Sequence, residues 1–134
     1  MSTNQNTENT KNEKLPKSLE ELAEISRKGA LILKTPIQSG EIEVKVLRFD
    51  FGKLTGFEFA EAMDSCADGK ANAFRMTQKQ AISLFAAAAA KEAQGIDKED
   101  IMRRMGIEDA VKAAQLATNF FNLTSRAANM RITD

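Results

Sequence analysis

Residues 76–94 read Met-Thr-Gln-Lys-Gln-Ala-Ile-Ser-Leu-Phe-Ala-Ala-Ala-Ala-Ala-Lys-Glu-Ala-Gln, and the rest of the chain has to be arranged around them. Thr77, with Gln80 three residues later, forms a capping-box pattern, which is typical of the first residues of a helix. Gly95 then suits the left-handed residue that ends many helices. These signals predict a helix over 77–94, about 27 Å long at 1.5 Å per residue.

Hardly any side chain of this predicted helix is polar between Ala81 and Ala90. A helix that is apolar on nearly all sides is buried, so we expect it to lie at the centre of the core. Its alanine face could alternatively contact a partner or a second copy of the chain. A membrane span is not expected, because the uncharged run is about half of the ~20 residues that spanning requires.

The composition of the chain limits what it can do. Its 134 residues suit a single domain, and a formal net charge of zero gives no reason to expect nucleic acid or an anionic membrane as a partner. Histidine, the commonest general base and metal ligand, is absent. The single cysteine, Cys66, is interpreted as a small buried apolar residue. Because these residues offer no reactive centre, we predict a non-enzymatic protein without cofactor or metal. No secretory signal is visible, so we predict that the protein is cytoplasmic.

Both ends of the chain are polar. Residues 1–16 have too little apolar surface to offset the entropy of ordering, so we predict a disordered arm. Residues 129–134 are expected to form a frayed tail. After the arm, Ser18 and Glu21 repeat the capping-box pattern and predict a short amphipathic helix that ends at Gly29.

Alternating residues predict a β-hairpin over 30–49, with its turn bracketed by Pro36 and Gly40. The alternation slips at Leu47 and Phe49, where a bulge or the end of the strand is expected. Because two strands alone are marginal, the hairpin has to pack on helices or pair with another chain, and its outer edge would be open to an added strand. Three β-branched residues are expected on one face of the second strand: Ile42, Val44 and Val46.

Helices are predicted for most of the remaining chain, at about 57–67, 77–94, 98–105 and 107–127. The last of them has one apolar stripe made of Ile107, Val111, Ala114 and Phe121. A second apolar set widens this stripe: Ala113, Leu116, Phe120 and Leu123. Early strands and later helices indicate an α+β fold, mostly α, in which an N-terminal β-hairpin precedes a small helical bundle within a single domain over 17–128.

No motif for phosphate binding or catalysis is present, and the acidic clusters suit solvent-exposed faces of a strand and of helices. The large apolar anchors available to a core or an interface are phenylalanines. Phe120 and Phe121 point about 100° apart on a helix, so both are buried only if that helix is covered on two sides. The candidate partner-binding residues are Phe57, Phe59, Phe120 and Phe121.

Several short segments, in a fixed order, resemble a known family. Leu33-Lys34-Thr35-Pro36-Ile37, then Gly40-Glu41-Ile42, then Val46-Leu47-Arg48-Phe49 are similar to the opening of the tail assembly chaperones of tailed bacteriophages. Asn119-Phe120-Phe121-Asn122 is similar to the Phe- and Asn-rich helix near the end of that family. The likeness covers residues 30–122, and the polar arm at the start is longer than the family pattern needs.

The resemblance implies a non-enzymatic role in phage assembly. Such proteins bind the long tape-measure protein, keep it soluble and help tail-tube subunits polymerise around it, and they are absent from the mature virion. The partners implied for this chain are the tape-measure protein and the tail-tube protein, in the cytoplasm of the bacterial host. Self-association into a homo-oligomer is left open.

Two alternatives to the chaperone stay open. The first is a structural subunit of a virion or similar assembly, which would be found in purified particles. The second is a small DNA-binding regulator, since the helices around Gly95 or Gly106 could form a helix-turn-helix. The cations of that region are matched by acidic residues, whereas DNA binding draws on several unopposed cations, so the regulator is the weaker alternative.

Overall fold

The computed structural model describes residues 18–64, 76–92 and 94–129. Its helices are α1 (Leu19–Ser26), α2 (Gly56–Asp64), α3 (Gln78–Ala90), α4 (Lys98–Arg104) and α5 (Ile107–Asn129). Between α1 and α2 lie two antiparallel strands and a 3-10 turn: β1 (Lys28–Ser39), β2 (Ile42–Asp50) and Phe51–Lys53. The predicted fold class is confirmed, because a two-stranded hairpin is followed by helices in a mostly helical α+β fold.

Several predictions fall outside the described residues. These are the arm at 1–16, the last residues of the helix predicted at 57–67, the buried position of Cys66, and the tail apart from Asn129, with which α5 ends.

Both predicted capping boxes are present. The Ser18 hydroxyl accepts the N–H of Glu21 at 3.1 Å, and the Thr77 hydroxyl accepts the N–H of Gln80 at 3.1 Å. In each box the long side chain returns the bond, so two N–H groups that a helix start leaves unpaired are satisfied. These local signals therefore fix where α1 and α3 begin.

Helix α3 lies at the centre of the core, as predicted, and α2, α4, α5 and β2 pack against it. Four of its buried residues are alanines, and α5 meets it with buried alanines of its own. Small side chains on both helices let the backbones approach closely without voids. The helix ends at Ala90, one turn before the predicted end at Gln94, and Gly95 takes its left-handed φ of 82° in the connection that follows.

The turn of the hairpin differs from the prediction. Strand β1 continues to Ser39, and Ile37 is buried opposite Val44, so only Gly40 and Glu41 remain for the turn. The prediction that the turn begins at Pro36 is therefore wrong, whereas Gly40 does lie in the turn. Gly40 has a φ of 63°, a left-handed conformation that glycine adopts without steric cost.

A bulge in β1 explains this error. Between two regularly paired stretches, residues 33–36 of β1 lie opposite the single residue Lys45 of β2. Pro36 has no N–H to give to a strand ladder, and a bulge is where a strand tolerates proline. At Leu47 and Phe49 the pairing with β1 is regular, so no bulge lies there, and β2 ends at Asp50, the residue after Phe49.

Asp109, in the first turn of α5, ties this bulge to the helix. Its carboxylate is buried and accepts the backbone N–H of Lys34 at 2.8 Å and that of Thr35 at 3.0 Å. Backbone N–H groups that a bulge removes from the strand ladder need another partner, and here the carboxylate supplies it. Beside it, Lys34 Nζ lies 2.7 Å from Oε1 of Glu108 on the surface.

Part of the predicted apolar stripe of α5 is wrong. Ile107 is 80% exposed and Val111 is 51% exposed. Residues two positions apart on a helix point about 200° apart, so burying Asp109 turns both of these side chains outward. The side chains of α5 that are buried are Asp109, Ala113, Ala114, Ala117 and Ala127.

The outer edge of β2 is covered at Arg48 by the side chain of Gln94. The Gln94 amide donates to the Arg48 carbonyl oxygen at 3.0 Å and accepts the Arg48 N–H at 2.9 Å. A side-chain amide that makes both bonds takes the place of a neighbouring strand. The prediction that this edge is open to an added strand is therefore wrong at Arg48.

Candidate partner-binding groove

Two kinds of feature are absent from the described residues. No group of three or more histidine, cysteine or acidic side chains is placed there to hold a metal ion. None of the described helices has the length and apolar character that crossing a membrane requires.

A groove with a largely apolar lining lies between α2, α5 and the 3-10 turn after β2, and it is termed the apolar groove below. Its volume is about 370 Å³, within the range of sites that hold small molecules or side chains of a partner. Thr55, Thr124 and Ser125 add polar atoms to it. Its apolar lining consists of Phe51, Leu54, Gly56, Phe59, Leu84, Phe120, Phe121 and Ala128.

Two stacked aromatic pairs line this groove and join α5 to the 3-10 turn and to α2. The rings of Phe51 and Phe120 stack with centroids 4.9 Å apart and planes 18° apart. The rings of Phe59 and Phe121 stack with centroids 6.0 Å apart and planes 13° apart. Because adjacent residues on a helix point in different directions, Phe120 reaches the 3-10 turn while Phe121 reaches α2. Both rings stay partly exposed, so the groove presents aromatic surface to solvent.

The structure brings together three of the four phenylalanines named from the sequence. Phe59, Phe120 and Phe121 line the apolar groove. Phe57 does not line it, and its side chain is 71% exposed on α2. Whether any of the four binds a partner stays a prediction.

Three further lining residues were missed from the sequence. Phe51 and Leu54 lie between the hairpin predicted over 30–49 and the helix predicted from 57, where no element is predicted, and Leu84 lies in the predicted core helix. The spacing of Phe51 and Leu54, three residues apart, is the signal that could have identified a short helical turn with one apolar face.

A second, more polar concavity of about 320 Å³ adjoins the apolar groove and is termed the acidic cleft below. It lies between α1 and α5, and Phe120, Thr124 and Ala128 belong to both concavities. Glu20 and Glu24 of α1 line it together with one cation, Arg27. The guanidinium of Arg27 forms ion pairs with the carboxylates of Glu24 and Asp50, each with an N–O distance of 3.3 Å.

Glu58 of α2 is held in its charged form by neighbouring donors. Lys91 Nζ donates to its two carboxylate oxygens at 2.8 and 2.9 Å, and the N–H of Thr55 donates to Oε1 at 2.9 Å. These bonds, that from Lys91 first, lower the pKa of Glu58 below its ordinary value. The ion pair also links α2 to the end of α3, and so fixes one wall of the apolar groove.

Two large apolar side chains outside the apolar groove are strongly exposed. Ile32 of β1 is 77% exposed, and it precedes Lys34, which is paired with Glu108 of α5. The exposed Ile107 of α5 is next to that glutamate in sequence. Neither isoleucine lines the apolar groove.

Comparisons with protein-family models, with curated proteins and with solved structures found no match.

Proposed function

We propose that this chain is a non-enzymatic tail assembly chaperone of a tailed bacteriophage, which holds a tape-measure protein in the apolar groove. The observation that carries the proposal is the groove itself, where two stacked phenylalanine pairs expose aromatic surface beside an acidic cleft. A long helical partner displays apolar stripes that need cover before assembly, and grooves of this kind bind amphipathic helices.

The resemblance in sequence supports the same proposal. Its first motif spans the bulge of β1, where Lys34 and Thr35 are bound by Asp109, and its last motif contains Phe120 and Phe121 of the groove. The motifs thus lie at a fold-determining contact and at the candidate site. On this proposal the protein works in the cytoplasm of the bacterial host, helps the tail-tube protein polymerise and is absent from the mature virion.

Co-expression with the tape-measure protein of the same phage tests the proposal. We expect the wild-type chain to raise the soluble yield of that protein severalfold and to co-purify with it. Phe121→Ala should abolish most of this gain, because truncating an aromatic anchor of an interface removes much of the binding energy. Val111→Ala, about 15 Å away along α5 and outside the lining of the apolar groove, is the matched control and should keep it. Unchanged solubility with the wild-type chain would refute the chaperone.

The protein composition of the virion distinguishes a structural subunit from a chaperone. Mass spectrometry of purified virions should show none of this chain if it is a chaperone, and several copies per particle if it is a subunit. A DNA-binding regulator gains no support, because the arginines of α4 are engaged. Arg103 Nε lies 2.6 Å from Oε2 of Glu99, and Arg104 donates to the Gln38 carbonyl oxygen at 3.2 Å.

A further inference from the structure

We propose that the occupant of the apolar groove is a basic amphipathic helix, whose lysine or arginine side chains lie over the acidic cleft. This inference rests on the proposed function only in requiring that a partner segment enters the groove, and it adds the charge of that segment.

The shape of the site fits one helix. The apolar groove follows α5 from Phe120 to Ala128, a distance of about 12 Å at 1.5 Å per residue. Two turns of a partner helix span that distance, so two or three apolar side chains at i, i+3 or i+4, and i+7 fill it. The polar flank of such a helix then lies over the neighbouring acidic cleft, because the two concavities share one wall.

The charge of the surrounding helices favours a cation on that flank. Helix α1 contains three acidic residues and α2 contains three, and neither contains a lysine or arginine, although the whole chain is neutral. Glu20 lines the acidic cleft with no salt bridge of its own in the described structure, whereas Glu24 is shared with Arg27. The C-terminal end of α5, beside the groove, adds the negative end of a helix dipole.

Other occupants fit less well. A second copy of this chain would bring the same acidic α1 and α2 toward each other if the groove were shared symmetrically, and like charges oppose that contact. An acidic or neutral segment would leave Glu20 without a counter-ion. A basic segment gains both the apolar contact and the charge pairing.

Two synthetic peptides of about 18 residues test the inference on the full chain. They share one leucine face and differ only in carrying lysine or glutamate on the polar face. Fluorescence anisotropy is measured at about 50 mM and about 500 mM NaCl, which changes the Debye length about threefold. At low salt we expect the lysine peptide to bind about tenfold more tightly than the glutamate peptide. At high salt this difference in affinity should shrink.

Charge-reversal variants localise the effect. Glu20→Lys should lower the affinity for the lysine peptide several-fold and raise the affinity for the glutamate peptide. Glu41→Lys makes the same charge change in the exposed hairpin turn and should alter neither affinity. Phe121→Ala should weaken both peptides, because they share the apolar face. Equal binding of both peptides, an effect of Glu41→Lys as large as that of Glu20→Lys, or dimers in gel filtration that Phe121→Ala dissociates would each overturn the inference.

The two proposals fail separately. If the lysine peptide binds as expected but the tape-measure protein stays insoluble, the groove takes a basic helix and the chaperone function is wrong. If the tape-measure protein is solubilised through Phe121 but Glu20→Lys and salt have no effect, the chaperone function stands and the charge preference is wrong.

Discussion

Asp109 and Lys34 lie 75 positions apart in the sequence and are joined by a hydrogen bond of 2.8 Å, from the backbone N–H of Lys34 to the buried carboxylate. The same carboxylate takes the N–H of Thr35, so one side chain replaces a missing strand at the bulge of β1. This contact decides which face of α5 meets the core.

Asp109→Asn should lower the free energy of unfolding by about 2–3 kcal/mol, because the amide replaces one acceptor by a donor that faces an N–H group. Glu108→Gln, one residue earlier, is the matched control. It removes only the exposed ion pair with Lys34 and should cost less than about 1 kcal/mol. Urea unfolding followed by circular dichroism measures both, and equal losses would contradict the role given to Asp109.

Gln94→Ala should expose the edge of β2. We expect a loss of about 1 kcal/mol and faster hydrogen exchange at the Arg48 amide, whose bond to the glutamine is removed. Gln115→Ala, at an exposed position of α5, should change neither quantity. An unchanged exchange rate at Arg48 would show that the Gln94 amide does not protect the edge.

The two left-handed glycines should differ in their tolerance of a side chain. At Gly40 a new Cβ would have no atom within 4 Å. Gly40→Ala should therefore lower the free energy of unfolding by about 1 kcal/mol, because of the left-handed backbone conformation alone. At Gly95 a new Cβ would also lie 3.1 Å from Cδ1 of Ile42, so Gly95→Ala should cost more. Ile42→Val deletes that carbon, and the double variant should recover the difference in a double-mutant cycle. Additive effects would contradict the contact.

The pH dependence at Glu58 follows from its lowered pKa. A carboxylate whose pKa is lower in the folded than in the unfolded state stabilises the fold above the unfolded pKa, and this contribution is lost as the pH falls through the folded pKa. Lys91→Met should therefore raise the pKa of Glu58 in a ¹³C NMR titration. The stability difference between this variant and the wild type should shrink as the carboxylate protonates. A pKa of Glu58 unmoved by the variant would contradict this.

The sequence predicted those features whose signals are local. The Ser18 and Thr77 caps lie three residues from their partners, and the apolar run of α3 is contiguous. Periodicity alone could not identify the exposed face of α5, because that helix has apolar residues on two faces. The bond from Asp109 to Lys34, which joins distant parts of the chain, makes that choice.

The candidate site shows the same division. Phe59, Phe120 and Phe121 are large side chains on predicted helices, so they stand out as anchors from sequence alone. Phe51 and Leu54 lie in a turn of irregular sequence, and only the packing of that turn against α5 gives them a place in the groove.

Four alanines of α3, at positions 81, 86, 88 and 89, expose no surface, so a larger side chain at any of them has to displace a neighbour. The groove is different, because Phe59, Phe120 and Phe121 are only partly buried, although Phe51 and Leu84 at its base belong to the core. Substitutions at the three partly buried rings can therefore alter what the groove accommodates while the alanine contacts of the central helix stay as they are.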